Sequence, residues 1–259
     1  MLKGVYTAYT AMVNEQHRMD TMTNNLANAS TVGFKKKGAT SQCFSDVPTV
    51  KIKDRSDGHH AYAEHIGRNN PGVKIGENYT DYTQGSYRVT GNTYDLAIDG
   101  DGFFAIEFTN KAGETSTMYT RAGQFTLNKE GYLVNEDGDY VLDNQSRRIR
   151  LNTLLDSKID EDGTIYQNDT AVARIGLTDF EDYDYLEKFG ENYFQPVDGA
   201  RFQDAEAKVY QGYLETANMS VVTEMVNMIN ISRAYETNQK VIQTYDSTLE
   251  TAVTQIRRL

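Results

Sequence analysis

Apolar side chains recur at Leu2, Val5, Tyr9, Met12, Met19 and Leu26, with Gln16 and Thr23 in the two remaining seats of the same spacing. Steps alternating between three and four residues draw one stripe along a helix that packs lengthwise against another helix. At the other end of the chain Tyr235, Ile242, Tyr245, Leu249, Ala252 and Ile256 keep that alternation, with Asn238 as the polar member. A second apolar row, Val222, Met225 and Ile229, precedes them. No glycine falls between Gly4 and Gly33, none follows Gly212, and no proline follows Pro196, so neither stretch contains a helix breaker. The pattern predicts one helix over about 3–27 and another over about 219–256, roughly 37 and 57 Å long at 1.5 Å per residue. Such lengths exceed what a chain of this size needs for its own core, so the surplus apolar surface is expected to face other copies.

Between these stretches the period changes to two. Val73-Lys74-Ile75 and Tyr94-Asp95-Leu96-Ala97-Ile98 alternate, and Gly102-Phe103-Phe104-Ala105-Ile106-Glu107-Phe108 is denser in apolar residues. Short strands follow at 118–120, 124–127, 132–134, 140–142, 164–166, 171–177 and 193–194, separated by turns such as Lys129-Glu130-Gly131 and Glu136-Asp137-Gly138. Residues 45–72 read as polar and irregular, with Asp57-Gly58 and Asn69-Asn70-Pro71-Gly72 as turn signals, and 207–211 resumes an extended path. The first helix is expected to stop within 28–33, where Asn28 and Gly33 tolerate a left-handed backbone, with Phe34 as the apolar anchor beyond it. Thr216 or Asn218 is expected to cap the last helix.

These elements predict an α+β fold in which N- and C-terminal helices form a coiled-coil-like layer and a central all-β domain is inserted between them. The expected division is a discontinuous helical assembly domain (1–34 and 216–259), extended connectors (35–69 and 206–215) and a β domain (70–205).

Charge sharpens that division. The chain of 259 residues carries a formal net charge of −11. Residues 1–36 hold Lys3, Arg18, Lys35 and Lys36 against Glu15 and Asp20, and residues 218–259 are balanced, so the acidity sits in the middle. An acidic exterior argues against nucleic acid, which needs clustered cations, while near-neutral ends suit close packing among identical subunits. Cys43 is the single cysteine, excluding an intrachain disulfide and a cysteine-based zinc site. Tyr6, Tyr9, Asn14, Glu15 and Gln16 interrupt any apolar core of a secretory signal, and no window approaches the roughly 18 apolar residues that would span a bilayer.

Candidate chemistry is thin. Gly100-Asp101-Gly102 follows a strand as a dinucleotide fingerprint would, but that fingerprint must open a helix and Phe103 onward reads as a strand, so a tight hairpin is expected. Asp99-Gly100-Asp101-Gly102 and Asp160-Glu161-Asp162-Gly163 lack the later oxygen ligands of a calcium loop and read as Asp-Gly turns. His59, His60 and His65 lie near Glu64 in a polar segment, which more often leaves imidazoles solvated than metal-bound. Lys35-Lys36-Lys37 has no interleaved aromatics and reads as a solvated or carboxylate-facing turn. No nucleophile–base order is present, and Asp182 and Asp184 read as acidic surface. No catalytic residue, metal or cofactor is expected.

Four segments nevertheless stand out: Asn24-Asn25-Leu26-Ala27-Asn28-Ala29-Ser30-Thr31-Val32-Gly33-Phe34-Lys35; Asp95-Leu96-Ala97-Ile98-Asp99-Gly100-Asp101-Gly102-Phe103-Phe104; Tyr119-Thr120-Arg121-Ala122-Gly123-Gln124-Phe125 with Gly131-Tyr132-Leu133-Val134; and Gln211-Gly212-Tyr213-Leu214-Glu215-Thr216-Ala217-Asn218 with Glu224-Met225-Val226-Asn227-Met228-Ile229 and Arg233-Ala234-Tyr235-Glu236. Together, in this order and spacing, they resemble the flagellar basal-body rod and hook protein family. Within it, the length from Phe34 to Asp95, the Gly190-Glu191-Asn192 segment and the fourth motif resemble the distal rod protein. The resemblance implies an axial, non-enzymatic structural protein of the basal body, exported by the flagellar type III apparatus without a cleaved signal and periplasmic where an outer membrane exists. It also implies helical self-assembly, with other rod and hook subunits as neighbours, into the shaft that carries torque from motor to hook. The expected assembly interface is the apolar members of the three helical rows above, and Asn24, Asn25, Leu26, Asn28, Gly33 and Phe34 form the turn motif. Alternatives are a proximal rod or hook-like subunit and, in a different class, a carbohydrate-binding or carbohydrate-active β domain carried on a coiled-coil dimer.

Overall fold

The computed structural model describes residues 2–53, 62–110, 113–190 and 192–256. It is α+β, with helices toward both ends of the chain and β structure between them. The chain forms two compact units: Met1–Leu26, Lys37–Thr80 and Val221–Leu259 make the first, and Ala27–Lys36 with Asp81–Ser220 the second.

The first unit holds α1 (Leu2–Ala27), β1 (Lys37–Cys43), β2 (Val47–Lys53), β3 (Tyr62–Asn69), β4 (Val73–Thr80) and α2 (Val221–Ile256). Both helices match the positions set by the three-four spacing, and α2, at 36 residues, is about 54 Å long. On α1 an Arg18–Glu15 pair one turn apart (3.1 Å) adds local support. Residues 37–53 and 62–80 form a long antiparallel ribbon. β1 pairs with β4 from Lys37 opposite Thr80 to Cys43 opposite Val73, and β2 pairs with β3 from Val47 opposite Asn69 onward. Phe44 N–H donating to Gly72 O (3.0 Å) joins the two pairs. The expected irregular stretch over 45–72 is therefore wrong for the residues described there. A ribbon without a buried face has no apolar alternation to reveal it, and Val47, Val50 and Ile66 are indeed exposed. α1 touches the ribbon through Asn14 Nδ2–Ser41 Oγ (2.9 Å) and His17 Nε2–Asn78 Oδ1 (3.0 Å).

The second unit contains β5 (Tyr87–Val89), β6 (Leu96–Asp99), β7 (Phe103–Thr109), β8 (Thr115–Thr120), β9 (Phe125–Leu127), β10 (Leu133–Asn135), β11 (Tyr140–Val141) and β12 (Ser157–Ile159). It continues through β13 (Thr164–Gln167), β14 (Thr170–Arg174), β15 (Leu177–Phe180), β16 (Leu186–Phe189), β17 (Tyr193–Pro196), β18 (Phe202–Asp204), β19 (Lys208–Gln211) and β20 (Tyr213–Glu215). Its main sheet runs β16-β17-β8-β7-β11-β10-β9, with β15 pairing both β7 and β18. Smaller sheets are β12-β13-β14, β6 with β19, and β5 with β20. β7 is buried on both faces, which is why its sequence is a continuous apolar run. Phe104 and Ile106 enter a core with Leu96, Ile98, Met118, Phe125, Leu133 and Val141, while Phe103 and Ala105 face Tyr119, Phe180, Leu186 and Phe194.

Two local expectations are corrected. The Gly100–Gly102 turn is not a hairpin, because β6 pairs with β19 whereas β7 pairs with β8, β11 and β15. Its glycines, at φ +105° and +136°, carry the chain from one sheet into another. Neither Thr216 nor Asn218 caps α2, which begins at Val221. Thr216 Oγ1 donates to Ser86 O (2.9 Å), and Asn218 has a different task described below.

Candidate functional site

The helical rows come first. On α1, Val5, Met12, Met19 and Leu26 are half-buried, whereas Tyr9 is exposed and shares its face with exposed Tyr6 and Val13. The side chain of Leu2 lies outside the described residues. On α2, Tyr235, Ile242, Tyr245, Leu249 and Ala252 are half-buried in one line. That line continues N-terminally through Ile231, 3 % exposed, and not through Ile229. The step from Ile231 to Tyr235 keeps the alternation, and Val222, Met225 and Ile229 form a separate, exposed row. Val222 (71 % exposed), Met225, Val226 and Ile229 form an uncovered apolar patch, as do Val253 and Ile256 farther along. The Tyr245 ring lies against Gly4, where an added Cβ would stand 2.5 Å from the Tyr245 hydroxyl.

The turn motif closes the first helix and seats the chain on the β unit. Asn25 is buried in a reciprocal pair with Lys37: its Nδ2 donates to Lys37 O (2.8 Å) and its Oδ1 accepts from Lys37 N–H (2.9 Å). Asn24 and Leu26 flank it in the last turn of α1, exposed and half-buried respectively. Asn28 accepts from Thr31 through both its carbonyl (3.2 Å) and its side-chain oxygen (3.2 Å). The left-handed position is Gly33, at φ +68°, and not Asn28. Gly33 N–H donates to Glu215 O (2.8 Å), and Phe34 beyond it is buried with the Lys188 ammonium 3.7 Å over its ring.

The first residue of the lysine run departs from expectation. Lys35 faces a carboxylate, as one reading allowed, but it is 1 % exposed and not solvated. Its Nζ donates to Glu215 Oε1 at 2.6 Å and to Thr83 O at 2.9 Å. Glu215 Oε1 also accepts from Gly85 N–H (2.8 Å), and Arg121 Nη1 stands 3.6 Å from Glu215 Oε2. Arg121 in turn donates to Gly100 O (2.9 Å) and lies over the Phe103 ring. Burial lowers the Lys35 pKa below the ordinary lysine value, and the adjacent Glu215 charge opposes that shift. Removing one member of such a buried pair leaves an uncompensated charge, a loss of about 3–5 kcal/mol. Lys35, Arg121 and Glu215 stand in three separate sequence motifs, and the available signal was that each is the one charged residue of 24–35, 119–125 and 211–218 respectively.

The remaining chemistry-bearing positions stay apart. His59 and His60 lie outside the described residues, and His65 is exposed on β3 with its Nδ1 accepting from Gly67 N–H (3.3 Å). Among the described residues no group of three or more His, Cys, Asp and Glu side chains is placed to hold a metal ion. Cys43 is exposed on β1. Asp160 and Gly163 close the β12–β13 hairpin as a turn, Gly163 N–H donating to Asp160 O (2.9 Å). A cleft of about 910 Å³ in the β unit is bordered by Phe108, Phe189, Tyr193, Asp137 and Asp139. Phe108 packs edge-on against Phe189 (5.4 Å between centroids), and the Tyr193 hydroxyl is held by Asp137 (2.8 Å) and Asp139 (2.9 Å). No helix among the described residues is long and apolar enough to cross a membrane.

Uncovered apolar rows on two long helices, in a chain that also carries a β unit, define a structural α+β subunit of the assembling type. Three family descriptions match in chain order: flagella basal body rod protein over residues 5–35, flagellar hook protein FlgE/F/G D1 domain over 97–167, and flagellar basal body rod FlgEFG protein C-terminal over 210–256. Similar relatives include the flagellar basal-body rod protein FlgG of Bacillus subtilis (strain 168), 33 % identical over 98 % of both chains. The flagellar basal-body rod protein FlgF of Caulobacter vibrioides is 31 % identical over 100 % of this chain and 98 % of its own, and FlgG of the same organism is 32 % identical over 99 % and 100 %. The chain belongs to the flagellar basal-body rod protein family, whose place is the flagellar basal body. Lys35, Arg121 and Glu215 each come from a different one of the three matched segments.

Proposed function

We propose that this chain is the distal rod subunit, a non-enzymatic building block that polymerises helically through a coiled-coil-like layer made by residues 1–34 and 216–259 of many copies. The observation that carries this reading is the apolar surface left open on α1 and α2: Tyr6, Tyr9 and Val13 on one helix, and Val222, Met225, Val226, Ile229, Val253 and Ile256 on the other. Apolar rows of this extent on long helices invite partners of the same kind, and a head-to-tail contact that does not close generates a filament. Distal position rests on the length from Phe34 to Asp95 and on the 190–192 and 211–229 segments. Relatives bearing two different rod-protein names at nearly equal identity do not choose between positions, so the proximal or hook-like alternative remains open to test. The carbohydrate alternative has less support, since Phe108 and Phe189 beside the 910 Å³ cleft pack edge-on and the Tyr193 hydroxyl is already engaged. Export by the flagellar type III apparatus completes the reading.

The test uses exposed positions, so that folding is spared. Val222→Asp combined with Ile229→Asp, expressed in cells lacking the gene, should leave soluble folded subunit and no swimming. Normal swimming with that double substitution would contradict assembly through this face.

A further inference from the structure

Three stretches distant in sequence meet at the end of the β unit where the chain leaves it. The chain crosses between the two units at 26/27, 36/37, 80/81 and 220/221. Residues 33–36, 81–86 and 215–218, next to three of those crossings, are bonded to one another. Asn218 sits between the other two: its Oδ1 accepts from Lys36 N–H (2.8 Å), and its Nδ2 donates to Asp81 O (2.7 Å), Thr83 O (3.1 Å) and Thr83 Oγ1 (3.1 Å). Asp81 N–H donates to Lys36 O (2.9 Å), closing a triangle of backbone and side-chain bonds. Glu215 makes a second layer of the same kind, accepting from Gly33 N–H through its carbonyl and from Lys35 Nζ and Gly85 N–H through its carboxylate. Thr216 N–H on Ser86 O (2.8 Å) links the layers.

We propose that Asn218 and Glu215, with Lys35, are positioning residues. They form a three-way clasp within the β unit that ties together the stretches next to three of the chain's four crossings, those that lead to the two ends of the ribbon and to α2. Three properties carry this. Each of the two hub residues bonds both other stretches, so no stretch can leave without freeing partners on the remaining two. The inner layer is buried and charged, so opening it exposes Lys35 and Glu215 to each other's loss, and partial opening is disfavoured. Neither hub belongs to the helix it precedes: Asn218, at a spacing suited to a helix cap, spends all its polar atoms on the clasp. That the clasp serves a rod rests on the function proposed above; the clasp itself does not.

Hydrogen exchange of the full chain, read by mass spectrometry peptide by peptide, tests the joint. Asn218→Ala should speed exchange in 33–37, 81–86 and 213–218 together, roughly tenfold, while 103–120 in the main sheet keeps parental protection. Asn218→Asp retains the acceptor for Lys36 but lacks both donors, and should still open all three stretches because they act as one. Loosening confined to 81–86 in Asn218→Asp, no change in 33–37 for Asn218→Ala, or loss of protection across the whole β unit would each overturn the clasp. In cells lacking the gene, Asn218→Ala should support less than a tenth of parental swimming if the rod needs the closed clasp, and full swimming overturns that role. Should the gene prove dispensable for the rod, the function fails while the exchange result stands.

Discussion

Replacing Gly33 by alanine is expected to destabilise the β unit by about 3 kcal/mol, summed from three sources. At φ +68° any residue with a Cβ loses roughly 1 kcal/mol relative to glycine. The new Cβ would stand 2.4 Å from Ala122 N, 2.5 Å from Arg121 C and 2.7 Å from Arg121 O, all backbone atoms that cannot swing aside, and overpacking of that kind costs about 1–3 kcal/mol. Moving the turn away to relieve the contact strains the Gly33 N–H bond to Glu215 O, worth about 1 kcal/mol. A flexible linker would show none of these losses. Urea unfolding followed by tyrosine near-ultraviolet circular dichroism measures the difference for the parent, Gly33→Ala and Gly33→Asn. Asparagine tolerates the left-handed backbone yet still brings a Cβ, so it should recover only a few tenths of a kcal/mol. Gly33→Val, with its branched Cβ, should be at least as costly as alanine and should also block rod completion. An alanine variant within about 0.5 kcal/mol of the parent would refute the reasoning, and an asparagine variant restored to parental stability would show that backbone strain alone, without crowding, is at work.

Further outcomes follow from other parts of the molecule. Leu249→Asp or Met12→Asp, each placing a carboxylate on a half-buried seam, should abolish motility while the near-ultraviolet signal of the β unit is retained; a motile cell carrying either one counts against the helical interface. Limited proteolysis of the purified subunit should remove the terminal helices first and leave a resistant fragment centred on 81–220, since helices of this kind are stabilised mainly by packing; resistant ends with a rapidly lost β region would contradict it. Arg148 holds Glu107 through two hydrogen bonds of 2.8 Å, which lowers the carboxyl pKa below the ordinary value even though partial burial opposes it. A depressed acid stabilises the fold above its unfolded pKa, near 4.5, and that contribution is lost as pH falls through the lowered native value. It should amount to about 0.5–1 kcal/mol, because Arg148 is partly exposed, and Glu107→Gln should flatten this part of the acid limb in pH-dependent denaturation; an unchanged limb would exclude the pair as a contributor.

The terminal helices were legible because their stripes are long and regular, and β7 because its burial on both faces writes a continuous apolar run. The ribbon of β1–β4 was largely illegible for the opposite reason, since strands without a buried face leave no alternation. Gly33 was readable as a left-handed turn from residue type, and Phe34 as its anchor. The Lys35–Glu215–Arg121 cluster was not, because pairing across 180 residues of sequence is a property of topology, and a lysine within a run of three looks like solvated surface until its partner is placed. Asn218 looked like a helix cap because caps and clasps draw on the same short polar side chains. Tyr9 keeps the three-four spacing of the α1 row and yet is exposed, because spacing names a stripe and only packing decides which of its members is covered.

The account stands most directly on whether the rod needs this subunit. Deleting the gene and imaging basal bodies by electron cryotomography, with the parental gene and the Val222→Asp, Ile229→Asp double variant returned in turn, measures that. Assembly should halt within the rod, with no hook, in the deletion and in the double variant, and the parental gene should restore a complete rod. Complete rods bearing hooks in the deletion strain would contradict the account.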